Sequence, residues 1–164
     1  KQLIVIDLSE INSETLELLT SVVSRMLFDY RKRLYGEARR QQPIHLIMDE
    51  AHRYIRKSGV YILRENIFEK IAREGRKYSL YLVISSQRPS ELSETVLSQC
   101  GNYIVHRIQN EIDLKYVYSV LPYFSDDFVN LLVVTAYSFH ECLFVVFKSD
   151  FIEGHSIVWS IVGY

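Results

Sequence analysis

"PIHLIMDEAHRYI", residues 43–55, places an apolar run directly ahead of two adjacent acids, Asp49 and Glu50. A short, nearly continuous apolar run is how a parallel strand reads when both its faces are covered. In an open α/β sheet, ligands bind outside the carboxyl ends of the strands, which is where this pair stands. Mg²⁺ is held by one or two carboxylates plus waters and phosphate oxygens, and a neighbouring carboxylate can orient or deprotonate an attacking water. The spacing fits a Walker B acidic pair. Acids also follow strands in ordinary loops and caps, so the pair alone leaves both readings open.

The flanking sequence extends the α/β pattern. "LIVIDL" (3–8) reads as another buried strand, followed by a long helix from about Ser13 with Leu16, Leu19, Val23, Met26, Tyr30 and Leu34 as its apolar stripe. The far end of that helix is basic, with Arg31, Lys32, Arg33, Arg39 and Arg40. Such a run suits a solvated face at the negative end of the helix dipole, with a nucleic-acid contact as the alternative. "NIFEKIAREG" is an amphipathic helix, "LYLVIS" (80–85) a strand, "SELSETVLSQ" a short helix that Ser90 could cap, "YIVHRI" (103–108) a strand, and "NEIDLKYVYSVL" a helix opened by Asn110. A last helix is expected after Ser125, then β-rich runs, "LFVVF" and "SIVWSIV". Alternating strands and helices predict a parallel α/β sheet.

Composition bounds the rest. The chain has 164 residues, 48% hydrophobic and 24% charged, enough for one domain with a real core. A net charge of -1 supplies no general basic field for nucleic acid or an anionic membrane. No apolar run approaches the roughly 20 residues of a spanning helix, so no membrane is expected. Cys100 and Cys142 form no CxxC, which suits small core hydrophobes in a reducing, cytoplasmic setting. A strand beginning within three residues of a start that lacks Met raises the expectation of a piece of a larger protein.

"IDLS", "LIMDEAH", "REGRKY", "SQRPSEL", "VLSQC" and "LPYFSDDFVNLL" occur in this order between about Val5 and Leu132. Together they resemble the carboxyl-terminal half of the motor domain of HerA-type ATPases, in the HerA/FtsK superfamily of hexameric DNA translocases. The resemblance implies a P-loop NTPase core of RecA-like (ASCE) type. It implies that Asp49 holds the Mg²⁺ shell through water, that Glu50 activates water, and that Gln87 reads the γ-phosphate of ATP. It further implies that Arg76 in "GRKY" is an arginine finger reaching the neighbouring subunit's ATP, with Arg73 the second candidate. A hexamer, DNA passing through its ring, and a nuclease are the partners implied. The duller alternatives are that Arg73, Arg76 and Lys77 serve the end of a helix, that Gln87 is an ordinary strand-end amide, and that His45 and His52 are packed or surface imidazoles. Arg107 and Asp113 could form a structural ion pair.

The departures from the family are specific. No Gly is followed by Lys-Ser or Lys-Thr, so the GxxxxGK[ST] phosphate loop is absent from this sequence. The expected unit is a single partial domain over 1–164, family-like over 1–135, with an atypical β-rich tail over 136–164, and inactive alone. The family's phosphate-loop strand would lie between strands 80–85 and 103–108. That slot is expected to be filled by the tail or by a second copy, since unpaired backbone within a sheet is costly. Two other classes stay open. A non-catalytic interaction module would be an ATPase remnant; a DEAH-type superfamily 2 helicase is suggested by the literal "DEAH" (49–52), although "SSQRPS" stands where that class has other motifs.

Overall fold

A computed structural model describes residues 3–57, 66–105, 108, 110–120, 144–147 and 157–162, the last two segments as strand backbone. The helix expected after Ser125, the segment 121–132, Arg107 and Cys142 lie outside the described residues.

Among the described residues, six strands form one sheet in the order β1-β6-β2-β3-β5-β4. They are β1 (Leu3–Asp7), β2 (Ile44–Met48), β3 (Leu80–Ser86), β4 (Asn102–Val105), β5 (Phe144–Phe147) and β6 (Ile157–Val162). The helices are α1 (Ser13–Arg33), α2 (Gly36–Arg40), α3 (Ile67–Glu74), α4 (Glu94–Ser98) and α5 (Glu111–Val120). β1, β6, β2 and β3 run parallel. β5 runs antiparallel to both β3 and β4, so the sheet is mixed where an all-parallel one was expected. The backbone groups on the edges of β3 and β4 need partners, and strands of either direction can supply them. The tail does fill the slot: β5 separates the "LYLVIS" strand from the strand beginning at Asn102. The tail's other strand, β6, enters between β1 and β2.

β2 and β3 alternate in burial, with Ile44, Leu46, Met48, Leu80, Leu82 and Ile84 in the core and the intervening residues half-buried. β1 departs from the buried strand expected of it. It stands at one edge of the sheet, with Leu3 64% and Val5 57% exposed.

Asn12 caps α1, its side chain accepting the Thr15 N–H at 2.9 Å, and Asn66 caps α3 by accepting from Phe68 and Glu69. Asn110 accepts the Ile112 N–H at 3.0 Å and opens α5 as expected. The cap of α4 is Ser93, whose Oγ accepts the Val96 N–H, while Ser90 instead donates its backbone N–H to Asp113.

The buried face of α1 follows the predicted stripe only in part, with Leu16 buried and Leu19 packed against the core. Leu16, Thr20, Ser24, Phe28 and Arg31 point inward, whereas Met26 is 67% and Tyr30 54% exposed. Small hydroxyl side chains bury at low cost when they bond within their own helix, as Thr20 does by donating to the Leu16 carbonyl at 2.8 Å. Arg31 likewise leaves the solvated basic face assigned to it and is fully buried.

Candidate functional site

Parallel pairing brings the ends of β2 and β3 side by side, with Met48 opposite Ile84. Asp49 and Glu50 therefore leave β2 next to the point where Ser86 and Gln87 leave β3. Asp49, Glu50 and Gln87 share one end of the sheet, the carboxyl end of two adjacent strands. Both acids are half-buried and Gln87 is exposed.

The turn off β2 is sharp. Glu50 adopts left-handed backbone, φ 48° and ψ 42°, and the chain then enters a short 3-10 turn, Ala51–Arg53. A residue with a Cβ pays about 1 kcal/mol or more for that conformation, so the surroundings must hold it. Two hydrogen bonds hold Asp49. Its Oδ1 accepts the Glu50 N–H at 3.0 Å, and its carbonyl accepts from the Tyr54 hydroxyl. Tyr54 is fully buried and packs beside Phe68, with ring centroids 6.0 Å apart. Burial raises the pKa of its phenol, which keeps it a donor.

His52 joins the two strand ends. Its Nδ1 lies 3.3 Å from Glu50 Oε2 and 3.1 Å from Ser86 Oγ. The roles at Nδ1 depend on the tautomer: a hydrogen there would donate to an ionised carboxylate, which only accepts. Burial lowers the imidazole's pKa, which favours the neutral ring. Ser86 Oγ also accepts the Arg88 N–H at 3.0 Å. The packed-imidazole reading of His52 thus missed a contact to the candidate base. No spacing in the sequence signals it, because Ser86 lies 34 residues away and only strand register brings it near.

Arg73 and Arg76 do not join this group. Arg73 is in the last turn of α3, and Arg76 lies in the 3-10 turn Gly75–Tyr78 that leads into β3. Both are exposed, at the amino end of β3. At about 3.3 Å per residue, β3 holds them roughly 20 Å from Gln87. A guanidinium there cannot reach a phosphate at its own chain's acid end.

Asp113 accepts the Ser90 N–H at 3.0 Å and an Asn110 side-chain N–H at 2.9 Å. Among the described residues no group of three or more His, Cys, Asp or Glu could hold a metal, and no helix is long and apolar enough to cross a membrane. A metal at the acid end would rest on Asp49 and water, which suits a hard, strongly hydrated cation and not zinc.

No family model matches the chain. Curated relatives do. A probable helicase of Methanocaldococcus jannaschii is 32% identical over 130 residues, 78% of this chain and 25% of that protein. The DNA double-strand break repair helicase HerA of Sulfurisphaera tokodaii is 32% identical over 127 residues, 76% of this chain and 26% of that protein. The protein of the same name from Pyrococcus furiosus is 40% identical over 88 residues, 54% of this chain. These matches bear out the HerA likeness carried by the motifs, and the chain spans about a quarter of the length of the first two relatives.

Proposed function

Taking the chain as a HerA-type segment, we propose that it supplies the acid, sensor and arginine-finger parts of an ATP-driven DNA translocase. The observation that carries this reading is the meeting of Asp49, Glu50 and Gln87 at the carboxyl ends of two parallel, in-register strands. Asp49 would hold the waters of Mg²⁺, which when bound neutralises charge on the phosphates of ATP. Glu50 takes the proton of the attacking water, and Gln87 contacts the terminal phosphate. Arg76, with Arg73 as second candidate, serves a neighbouring subunit, because a guanidinium forks onto phosphoryl oxygens and β3 keeps it from its own acids. That division of labour requires a ring, for which a hexamer threaded by DNA, a nuclease partner and a cytoplasmic location follow from the family. The chain alone, without a phosphate loop in its sequence, is expected to be inactive.

In the full-length protein carrying this chain, Glu50→Gln should keep ATP binding within about two-fold and lose most hydrolysis, since the carboxylate acts on water. Turnover near wild type would remove Glu50 from the role.

One observation favours a second reading. β5 occupies the position between β3 and β4 where the family places its phosphate-loop strand. A chain that completes its own sheet in this way could be a non-catalytic module that only assembles with partners. Failure of the full-length protein to bind ATP would favour the module.

A further inference from the structure

Arg31 is 1% exposed, and among the described residues no carboxylate meets it. A buried cation without a counter-charge is costly unless every donor finds a partner. Its partners are carbonyls: Nε donates to Tyr78 O at 2.9 Å and a terminal NH₂ donates to Arg39 O. Burial pushes its pKa down, though a guanidinium stays charged. Arg39 extends the same arrangement, its NH1 donating to Lys77 O at 3.2 Å and its guanidinium lying 5.2 Å from the Tyr78 ring centre. The Tyr78 ring meets Phe28 of α1 edge-on, centroids 5.3 Å apart.

These contacts converge on the turn Gly75–Tyr78. Its last two carbonyls, of Lys77 and Tyr78, are each held by a guanidinium from α1 or the α2 segment. Its first residue is held by space, because a Cβ on Gly75 would lie 2.4 Å from Leu80 O. Its exit is fixed by Ser79 at φ 53°, by the Ser79 N–H donating to Arg76 O at 3.1 Å, and by the Ile44 N–H donating to Ser79 O at 3.0 Å. Between these fixed points stands exposed Arg76.

We propose that Arg31 and Arg39 form a two-guanidinium clamp that sets the Gly75–Tyr78 turn and thereby aims Arg76 at a neighbouring subunit. Both are positioning residues, and the proposal rests on the reading that Arg76 acts in trans. A guanidinium suits the task, since its donors are fixed in one plane and can hold two carbonyls at once.

The test uses the full-length protein and two readouts. First, amide exchange measured by mass spectrometry needs no nucleotide. Arg31→Met should speed exchange over residues 75–80 on the order of ten-fold and leave residues 94–100 unchanged. Arg31→Lys, which can reach one carbonyl, should fall between wild type and Arg31→Met. Second, mixed assemblies report where the defect lies. Arg31→Met subunits should regain hydrolysis when mixed with Glu50→Gln subunits, because an intact clamp and finger then face an intact acid. They should regain none when mixed with Arg76→Ala subunits, since both variants lack the same contribution. Unchanged exchange over 75–80, or recovery with Arg76→Ala, overturns the clamp. If Arg31→Met does not assemble, Arg39→Ala decides by the same two criteria. If Arg76→Ala itself is not rescued by Glu50→Gln, the trans reading fails and the exchange comparison alone decides the clamp.

Discussion

At the carboxyl ends of β2 and β3, side chains bond both one another and nearby backbone: Glu50 meets His52, His52 meets Ser86, and Asp49 accepts the Glu50 N–H and the Tyr54 hydroxyl. At the amino end of β3 the backbone itself is held, by Arg31, by Arg39 and by the close approach of Gly75 to Leu80. Each end contains one non-glycine residue in left-handed backbone, Glu50 and Ser79. On the proposed reading the two ends serve different tasks: the acids would act at their own chain's site, and the backbone held at the other end would carry a cation that reaches another chain.

Substitutions should break the two ends unequally. The largest effect is expected at the arginine end, where Gly75→Ala should lower stability by about 3 kcal/mol in urea unfolding, since backbone must shift to admit the methyl group. A loss under about 0.5 kcal/mol, the scatter of an ordinary surface change, would show the turn to be pliable. At the acid end, Tyr54→Phe should cost about 1 kcal/mol by removing one donor to the Asp49 carbonyl. Relieving left-handed backbone should work in the opposite direction. Ser79→Gly should gain about 0.5 to 1 kcal/mol, and a destabilised variant would show that the Ser79 side chain does more than tolerate its φ.

The smallest effect concerns pH. Burial lowers the pKa of His45 from its ordinary 6.5, so the folded chain binds fewer protons there than the unfolded chain. The resulting penalty is absent above 6.5 and grows as pH falls below it. Melting curves between pH 7 and 5 should therefore show stability declining, and His45→Phe, which keeps a ring against Tyr81, should make that decline shallower. An unaltered slope would place the penalty elsewhere, with His52 the next buried imidazole.

The strand-and-acid pattern around Asp49 was legible because burial and chemistry coincide there: apolar residues fill most of β2 and the two acids leave it. The cap Asn110 was legible for a similar local reason. α1 was legible only in part. Thr20, Ser24 and Arg31 face inward, and their polarity hid the buried stripe, since the partners that make burial tolerable are a carbonyl of the same helix for Thr20 and a carbonyl of a turn 47 residues away for Arg31. The His52 contact was hidden because register between β2 and β3 creates it. The filling of the slot beside β3 by the tail was anticipated from the need to pair backbone, but the antiparallel direction of β5 was not, because that need is indifferent to direction.

On the proposed reading, β3 separates two contributions to two different ATP sites. The direct measurement is ATP hydrolysis by the full-length protein assembled from mixed subunits, some Arg76→Ala and some Glu50→Gln. Either variant alone should be nearly inactive, and mixtures should recover a fraction of wild-type turnover that peaks near equal proportions, as interfaces pairing an intact Arg76 with an intact Glu50 become most frequent. Absence of recovery at every ratio, with assemblies of normal size, would contradict the claim and return Arg76 to its own chain.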